Sequence, residues 1–97
     1  MKVKSEAIYL AFIDIESILD QHKVEYQSLE NRIEFTSDDN MVVISEGTDL
    51  DTPKIPSINL FHEKKKYVFS FESNKYWYDK KNGVDLYTII DGLIKYQ

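Results

Sequence analysis

The spacing of apolar residues changes near residue 23, and this change constrains the fold of the chain more than any other feature. Before it, apolar side chains recur every three or four positions, which predicts an amphipathic helix from residue 6 to about residue 22. We expect the hydroxyl of Ser5 to cap the first turn of this helix. The predicted buried stripe is Ile8, Ala11, Phe12, Ile15, Ile18 and Leu19.

Beyond residue 23 apolar and polar side chains alternate, which is the period of a strand with one buried face. Residues 24–27 and 32–35 alternate on either side of Glu30 and Asn31, which predicts a hairpin. Polar turn formers at 37–40 then precede a continuous apolar run at 41–45, which predicts a central strand. Further strands are predicted around residues 58–61 and 67–72, and residues 75–78 could extend a strand.

The C-terminal residues allow two interpretations. A helix beginning near Asp85 would place five apolar residues on one stripe. Alternatively, Asn82 and Gly83 form a tight hairpin turn, and the chain continues as a strand through Val84 and Thr88. We favour the helix because of its five matching residues, which are Leu86, Ile89, Ile90, Leu93 and Ile94.

These elements predict an α+β fold, an antiparallel sheet of about four to five strands with an N-terminal and a C-terminal helix packed on one face. The 97 residues contain no linker-like stretch, so we expect one domain, residues 1–97. The absence of cysteine excludes disulfides, thiolate metal sites and cysteine nucleophiles. The apolar run at 7–13 is shorter than the about 20 residues that cross a bilayer, and no signal cleavage site follows it, so we expect a cytoplasmic protein.

The sequence contains no pattern typical of a catalytic or cofactor site. Its two histidines, His22 and His62, lack the neighbouring residues that would position a nucleophile. Aspartate pairs at 38–39 and 49–51 could supply oxygen ligands, but they lack the glycine and distal glutamate of a calcium loop. The three glycines are too widely separated to cradle a phosphate. We therefore expect no catalytic residue, no bound metal and no cofactor.

Charge is distributed unevenly along the chain. Residues 1–53 carry twelve acidic and four basic side chains, whereas residues 54–97 carry five acidic and eight basic side chains. An acidic first half could imitate the spaced phosphates of a duplex and occupy the basic groove of a nucleic-acid enzyme. The predicted partner-binding residues are Asp14, Glu16, Asp20, Glu25, Glu30, Glu34, Asp38 and Asp39.

The second half offers an alternative binding patch in which lysines surround aromatic residues. This mixture can follow a phosphate backbone and stack on bases. Direct nucleic-acid binding is nevertheless disfavoured, because the chain has a net charge of -5 and the patch contains no arginine. The patch consists of Lys64, Lys65, Lys66, Lys75, Tyr76, Trp77, Tyr78, Lys80 and Lys81.

In its small size, acidity, lack of cysteine and richness in lysine, isoleucine, tyrosine and asparagine, the chain is similar to small phage-encoded inhibitors such as anti-CRISPR proteins. This resemblance implies a protein that blocks a basic, nucleic-acid-binding defence enzyme of the host, and it carries no residue motif. Two alternatives are an immunity protein that neutralises a nuclease toxin and a nucleic-acid-binding accessory protein. Tyr9, Leu10 and Ile13 lie off the buried helical stripe. Two copies of the chain could therefore form a homodimer through these side chains.

Overall fold

A computed structural model describes residues 5–47, 56–73 and 75–95. Within these residues, seven strands form one antiparallel sheet, and the order of the strands in the sheet is their order in the chain. The elements are α1 (Glu6–Gln21), β1 (Tyr26–Ser28), β2 (Arg32–Ser37), β3 (Asn40–Gly47), β4 (Ser57–His62), β5 (Lys65–Glu72), β6 (Tyr76–Asp79), β7 (Val84–Asp85) and α2 (Leu86–Ile94).

Both helices and one face of the sheet share a single hydrophobic core. Strand residues of this face alternate with more exposed ones, as a half-buried sheet requires. We call the helix-covered side the inner face and the opposite side the outer face. The helices contribute Ile8, Ala11, Phe12, Ile15, Leu19, Leu86 and Ile90, and the strands contribute Ile33, Phe35, Val42, Ile44, Ile58, Leu60, Phe69 and Trp77.

The predicted α+β class and both terminal helices are confirmed, but the prediction of four to five strands is too low. β1 corresponds to the predicted strand at 24–27, although it has only three residues. The favoured helical interpretation of the C-terminal residues missed β7, whose two residues are too few to show an alternating pattern. β6 is a separate strand that pairs with β5, with Trp77 opposite Phe71.

The two interpretations of the C-terminal residues are each correct in part. Gly83 adopts a positive φ of 66° in a turn, after which Val84 and Asp85 pair with β6. The chain then enters α2, where the carboxylate of Asp85 accepts hydrogen bonds from the backbone N–H groups of Tyr87 at 3.0 Å and Thr88 at 3.3 Å. Asp85 is therefore both the last strand residue and the cap of the helix.

The predicted side-chain cap of α1 is wrong. The hydroxyl of Ser5 makes no capping hydrogen bond, and Ser5 starts the helix only through its backbone carbonyl, which accepts from the Tyr9 N–H at 3.0 Å. Neither described helix is long and apolar enough to cross a membrane.

Strand β3 lies inside the sheet, as predicted from its apolar run, but only its inner face is covered. Val42 and Ile44 are buried, whereas Met41 is 54% exposed and Val43 is partly exposed. Phe61 of β4 and Val68 of β5 are likewise exposed on the outer face. The run is therefore apolar on both faces although the described helices cover only one of them.

Candidate protein-binding surface

Acidic and basic side chains are distributed unevenly across the sheet, as they are along the sequence. Because neighbours in the sheet are neighbours in the chain, the acidic first half supplies β1–β3 and the lysine-rich second half supplies β4–β6. The β1–β3 side of the sheet consequently carries more acidic side chains and the β4–β6 side more lysines. A partner approaching the molecule meets two sides of different charge.

Acidic side chains from three successive segments converge at the β1 edge. Asp20 of α1, Glu25 of the connection and Glu34 of β2 line one open depression of about 950 Å³, together with a single basic residue, Lys23. The depression lies where the chain before β1 separates from β2. We call this surface, together with Glu16 one helical turn before Asp20, the acidic edge, and define it by Glu16, Asp20, Glu25 and Glu34.

Tyr26 lines the same depression and lies close to two carboxylates of the acidic edge. Its hydroxyl donates a hydrogen bond to a carboxylate oxygen of Asp20 at 3.3 Å. Burial raises the pKa of Tyr26, and the hydrogen bond to Asp20 and the charges of Asp20 and Glu16 raise it further. Glu16 and Asp20 therefore act on the same point in the structure.

Glu34 differs from the other members of the acidic edge because it already has a partner. A carboxylate oxygen of Glu34 lies 2.7 Å from Nε of Arg32. Both side chains project from the outer face of β2, two residues apart, as the period of a strand requires. Part of the charge of Glu34 is thus neutralised within the chain.

The remaining predicted acidic residues lie elsewhere. Asp14 lies near α2, where burial first, and then the charge of Asp14, raise the pKa of Tyr87 to about 12. Glu30 is exposed between β1 and β2. Asp38 and Asp39 form the turn between β2 and β3 with φ values of 51° and 63°, a conformation that aspartate tolerates better than most residues. The eight predicted residues thus do not form one surface.

The lysine and aromatic patch is divided by the sheet. Lys64 and Lys65 lie at the β4–β5 turn, and Lys80 and Lys81 lie in the β6–β7 turn at the same end of the sheet, whereas Lys75 precedes β6 at the opposite end. The Lys80 ammonium lies 3.3 Å from a carboxylate oxygen of Glu72 and is thus already paired.

The aromatic residues of the patch point to different faces. Tyr76 and Tyr78 occupy the outer face, with ring centroids 6.0 Å apart in an edge-to-face arrangement. Trp77 points inward, is only 3% exposed and stacks on Phe71 at 4.6 Å. Trp77 is therefore part of the core, and its ring is not at the surface where stacking on a base would require it.

Asp79 is a buried carboxylate with a structural explanation. Its oxygens accept hydrogen bonds from the backbone N–H groups of Val68 and Asn82 and from the side-chain amide of Asn82 at 2.8–3.0 Å. Burial alone would raise the pKa of Asp79, but the hydrogen bonds from Asn82, Val68 and Lys81 bring it below its ordinary value. Asp79 thus closes the β6–β7 turn against β5.

The histidines do not form a base and nucleophile pair. His22 caps the C-terminal end of α1. His62 lines a cavity of about 320 Å³ with Ser37 and α2 residues, but its Nε2 lies 3.3 Å from the backbone carbonyl of Ser37. The hydroxyl of Ser37 donates instead to the Leu93 carbonyl at 2.6 Å. Among residues 5–47, 56–73 and 75–95, no three metal-ligating side chains are grouped to hold an ion.

Sequence reasoning missed the outer face of the sheet. Its apolar residues could have been recognised by their phase, because Val43, Phe61 and Val68 each lie next to a residue of the core in the same strand. The candidate ligands Asp49 and Asp51 lie outside the described residues.

No protein-family model, curated protein or solved structure matches this chain.

Proposed function

We propose that the chain acts by binding a protein with a basic surface, and that the acidic edge is the centre of the contact. The observation that carries the proposal is that Asp20, Glu25 and Glu34 line one depression, in which the Tyr26 hydroxyl contacts Asp20 and is also close enough to feel the charge of Glu16. A set of carboxylates held close together raises the local negative potential, which steers a basic partner and fixes its orientation.

The acidic edge has the form of a contact surface for a macromolecule. It is an open depression lined by polar and charged side chains, with Phe35 at its base. Specific small-molecule sites are usually enclosed and mainly apolar, and this depression is neither. The exposed side chains of Asp20 and Glu25 can instead reach arginine and lysine side chains of another protein.

The proposed partner is a basic nucleic-acid-binding enzyme of the host, which the chain blocks as a phage-type inhibitor through duplex mimicry. Carboxylates on the surface of a folded chain can replace phosphates in a basic channel, so the binding weakens as salt is added. An immunity protein that neutralises a nuclease toxin would use the same surface. The two functions separate by partner, a defence enzyme in one case and a toxin in the other.

The test compares two double variants of equal charge. Glu16→Lys with Asp20→Lys reverses the two α1 carboxylates of the acidic edge, whereas Glu6→Lys with Asp91→Lys reverses two exposed carboxylates, one on α1 and one on α2, that are not part of it. We expect capture from host lysate by the wild-type chain and the control to yield the same basic protein, identified by mass spectrometry. The acidic-edge variant should lose at least tenfold in affinity for that purified protein. Equal affinities of both variants would contradict the proposal.

The lysine and aromatic patch supports a second candidate, binding to single-stranded nucleic acid, through its exposed members Lys64, Lys65 and Tyr76. A gel shift at low salt tests it directly. We expect no shift with single-stranded or duplex DNA, because the chain carries a net charge of -5 and Trp77 is buried. A shift that Lys64→Glu with Lys65→Glu removes would favour this candidate over the inhibitor.

A further inference from the structure

The outer face of the sheet carries an apolar centre between an acidic and a basic side. Consecutive strand pairings place Glu34, Val43, Phe61 and Lys66 in one row across β2–β5. Phe61 is 40% exposed and Val43 is partly exposed, so the centre of the row is apolar and accessible. The row thus reads acid, apolar, apolar, base from one side of the sheet to the other.

A row of this kind is complementary to itself. We infer that the outer face binds the outer face of a second copy of this chain, with a two-fold axis parallel to the strands between β3 and β4. This operation exchanges β2 with β5 and β3 with β4. It places Glu34 of one copy opposite Lys66 of the other, and Val43 opposite Phe61.

The neighbouring row fits the same axis. It consists of Arg32, Ser45, Asn59 and Val68 across the same four strands. The two-fold axis brings the hydroxyl of Ser45 opposite the side-chain amide of Asn59, and these groups can exchange a hydrogen bond. Arg32 comes opposite Val68, which the aliphatic part of the arginine side chain can cover while its guanidinium stays with Glu34.

The charges of the row also favour this direction of the axis. A two-fold axis that runs along the row, perpendicular to the strands, would place Glu34 opposite Glu34 and Lys66 opposite Lys66, which is repulsive at both positions. The axis along the strands instead pairs opposite charges and places Val43 opposite Phe61. Lys66 is already directed toward the centre of the face, since its ammonium lies 5.4 Å from the ring centroid of Phe61.

The available area predicts a weak dimer. Six strands at about 4.8 Å spacing and strand lengths of ~17–20 Å give a flat face of roughly 400–500 Å² per copy. Stable complexes bury about 800 Å² per partner, so we expect this association to be weaker than that of a standard-size interface. The dimer and the proposed function share Glu34, but they can be tested separately, because Glu16 and Asp20 project from α1, which packs on the inner face of the sheet.

Sedimentation equilibrium across a wide range of concentrations tests the dimer. We expect the mass of the wild-type chain to rise from 11.4 kDa toward twice that value. Glu34→Lys and Lys66→Glu should each weaken association at least tenfold, and the combined swap should restore it to within about threefold of wild type, because it recreates the opposite-charge pair. Circular dichroism melts establish that each variant is folded.

Matched controls locate the interface. Glu30→Lys and Lys64→Glu make the same charge changes at exposed turns outside the row, and neither should alter the dissociation constant. A mass that stays at 11.4 kDa at every concentration would overturn the inference. Failure of the combined swap to restore association would also overturn it. Loss of association on Leu10→Ser, with Glu34→Lys having no effect, would assign the dimer to the outward surface of α1 instead.

Discussion

The two faces of the sheet use similar side chains for different purposes. On the inner face, Phe69 is fully buried among residues of both helices and the sheet. On the outer face, Phe61 is 40% exposed and contacts the ammonium of Lys66. A hydrophobic residue in a strand therefore does not necessarily belong to the hydrophobic core. One face stabilises the fold, and the other remains available for contact.

Truncating one phenylalanine on each face should give the largest contrast. Phe69→Ala should lower the free energy of unfolding by about 3–5 kcal/mol, because it removes a buried ring and leaves a cavity. Phe61→Ala should lower it by only about 1 kcal/mol, since the ring is already partly in water. Urea denaturation of both variants measures the difference. Equal losses would mean that the outer face is covered within the monomer.

Buried polar groups should show a second contrast. Asp79→Ala leaves the backbone N–H groups of Val68 and Asn82 without their acceptor, so we expect a loss of about 2–4 kcal/mol in unfolding free energy. Ser57→Ala should be neutral or slightly stabilising, because the buried hydroxyl of Ser57 has no hydrogen-bond partner among the described residues. Denaturation at neutral pH measures both. A large loss with Ser57→Ala would reveal a partner for this hydroxyl.

Acid should remove part of the contribution of Asp79. The pKa of Asp79 is below its ordinary value of 3.8 in the folded chain, so its stabilisation is present above that value and is lost as the pH falls through the folded pKa. The loss should be smaller than that caused by truncation, because a protonated carboxyl group keeps one acceptor oxygen. Unfolding free energies measured between neutral pH and about pH 3 test this, with Asp79→Asn as the control that lacks the titration.

The helix caps should give the smallest effect. Asp85→Ala removes the acceptor of two N–H groups at the start of α2 and should cost about 1 kcal/mol. Ser5→Ala should change stability by only a few tenths of a kcal/mol, because the Ser5 hydroxyl makes no capping bond. Thermal melts measure the pair. A comparable loss with Ser5→Ala would mean that the hydroxyl caps α1 in solution.

Periodicity predicted the parts of the fold in which many residues repeat one pattern. The helix at residues 6–22 and the buried alternation of Tyr67, Phe69 and Phe71 were evident from the sequence because burial sets the spacing over several turns or pleats. Two-residue strands such as β7 have no period of their own, and their pairing depends on the turn before them. The favoured helical interpretation therefore missed β7, whereas the strand at the opposite edge, β1, was predicted.

The candidate surfaces were predicted less well than the fold, because the order of charged residues along the chain does not determine on which face of the sheet each side chain lies. Trp77 was predicted to be part of a lysine-rich surface, but the pairing of β6 with β5 turns it toward Phe71. Glu16 and Asp20 were identified from composition, whereas their meeting at Tyr26 depends on how α1 packs beside β1. Contacts between segments that are distant in the sequence become visible only in the folded structure.

The strands follow one another in the sheet in the same order as in the chain, and this order also affects the folding rate of the protein. Each strand pairs only with its neighbours in sequence, so each ladder joins two consecutive strands and does not wait for a distant segment of the chain. Chains dominated by such local contacts fold faster than barrels and sandwiches of similar size, whose partners lie far apart in sequence. A newly made copy of this protein would therefore reach its working shape early and would seldom expose unpaired ladder edges to its neighbours on the way.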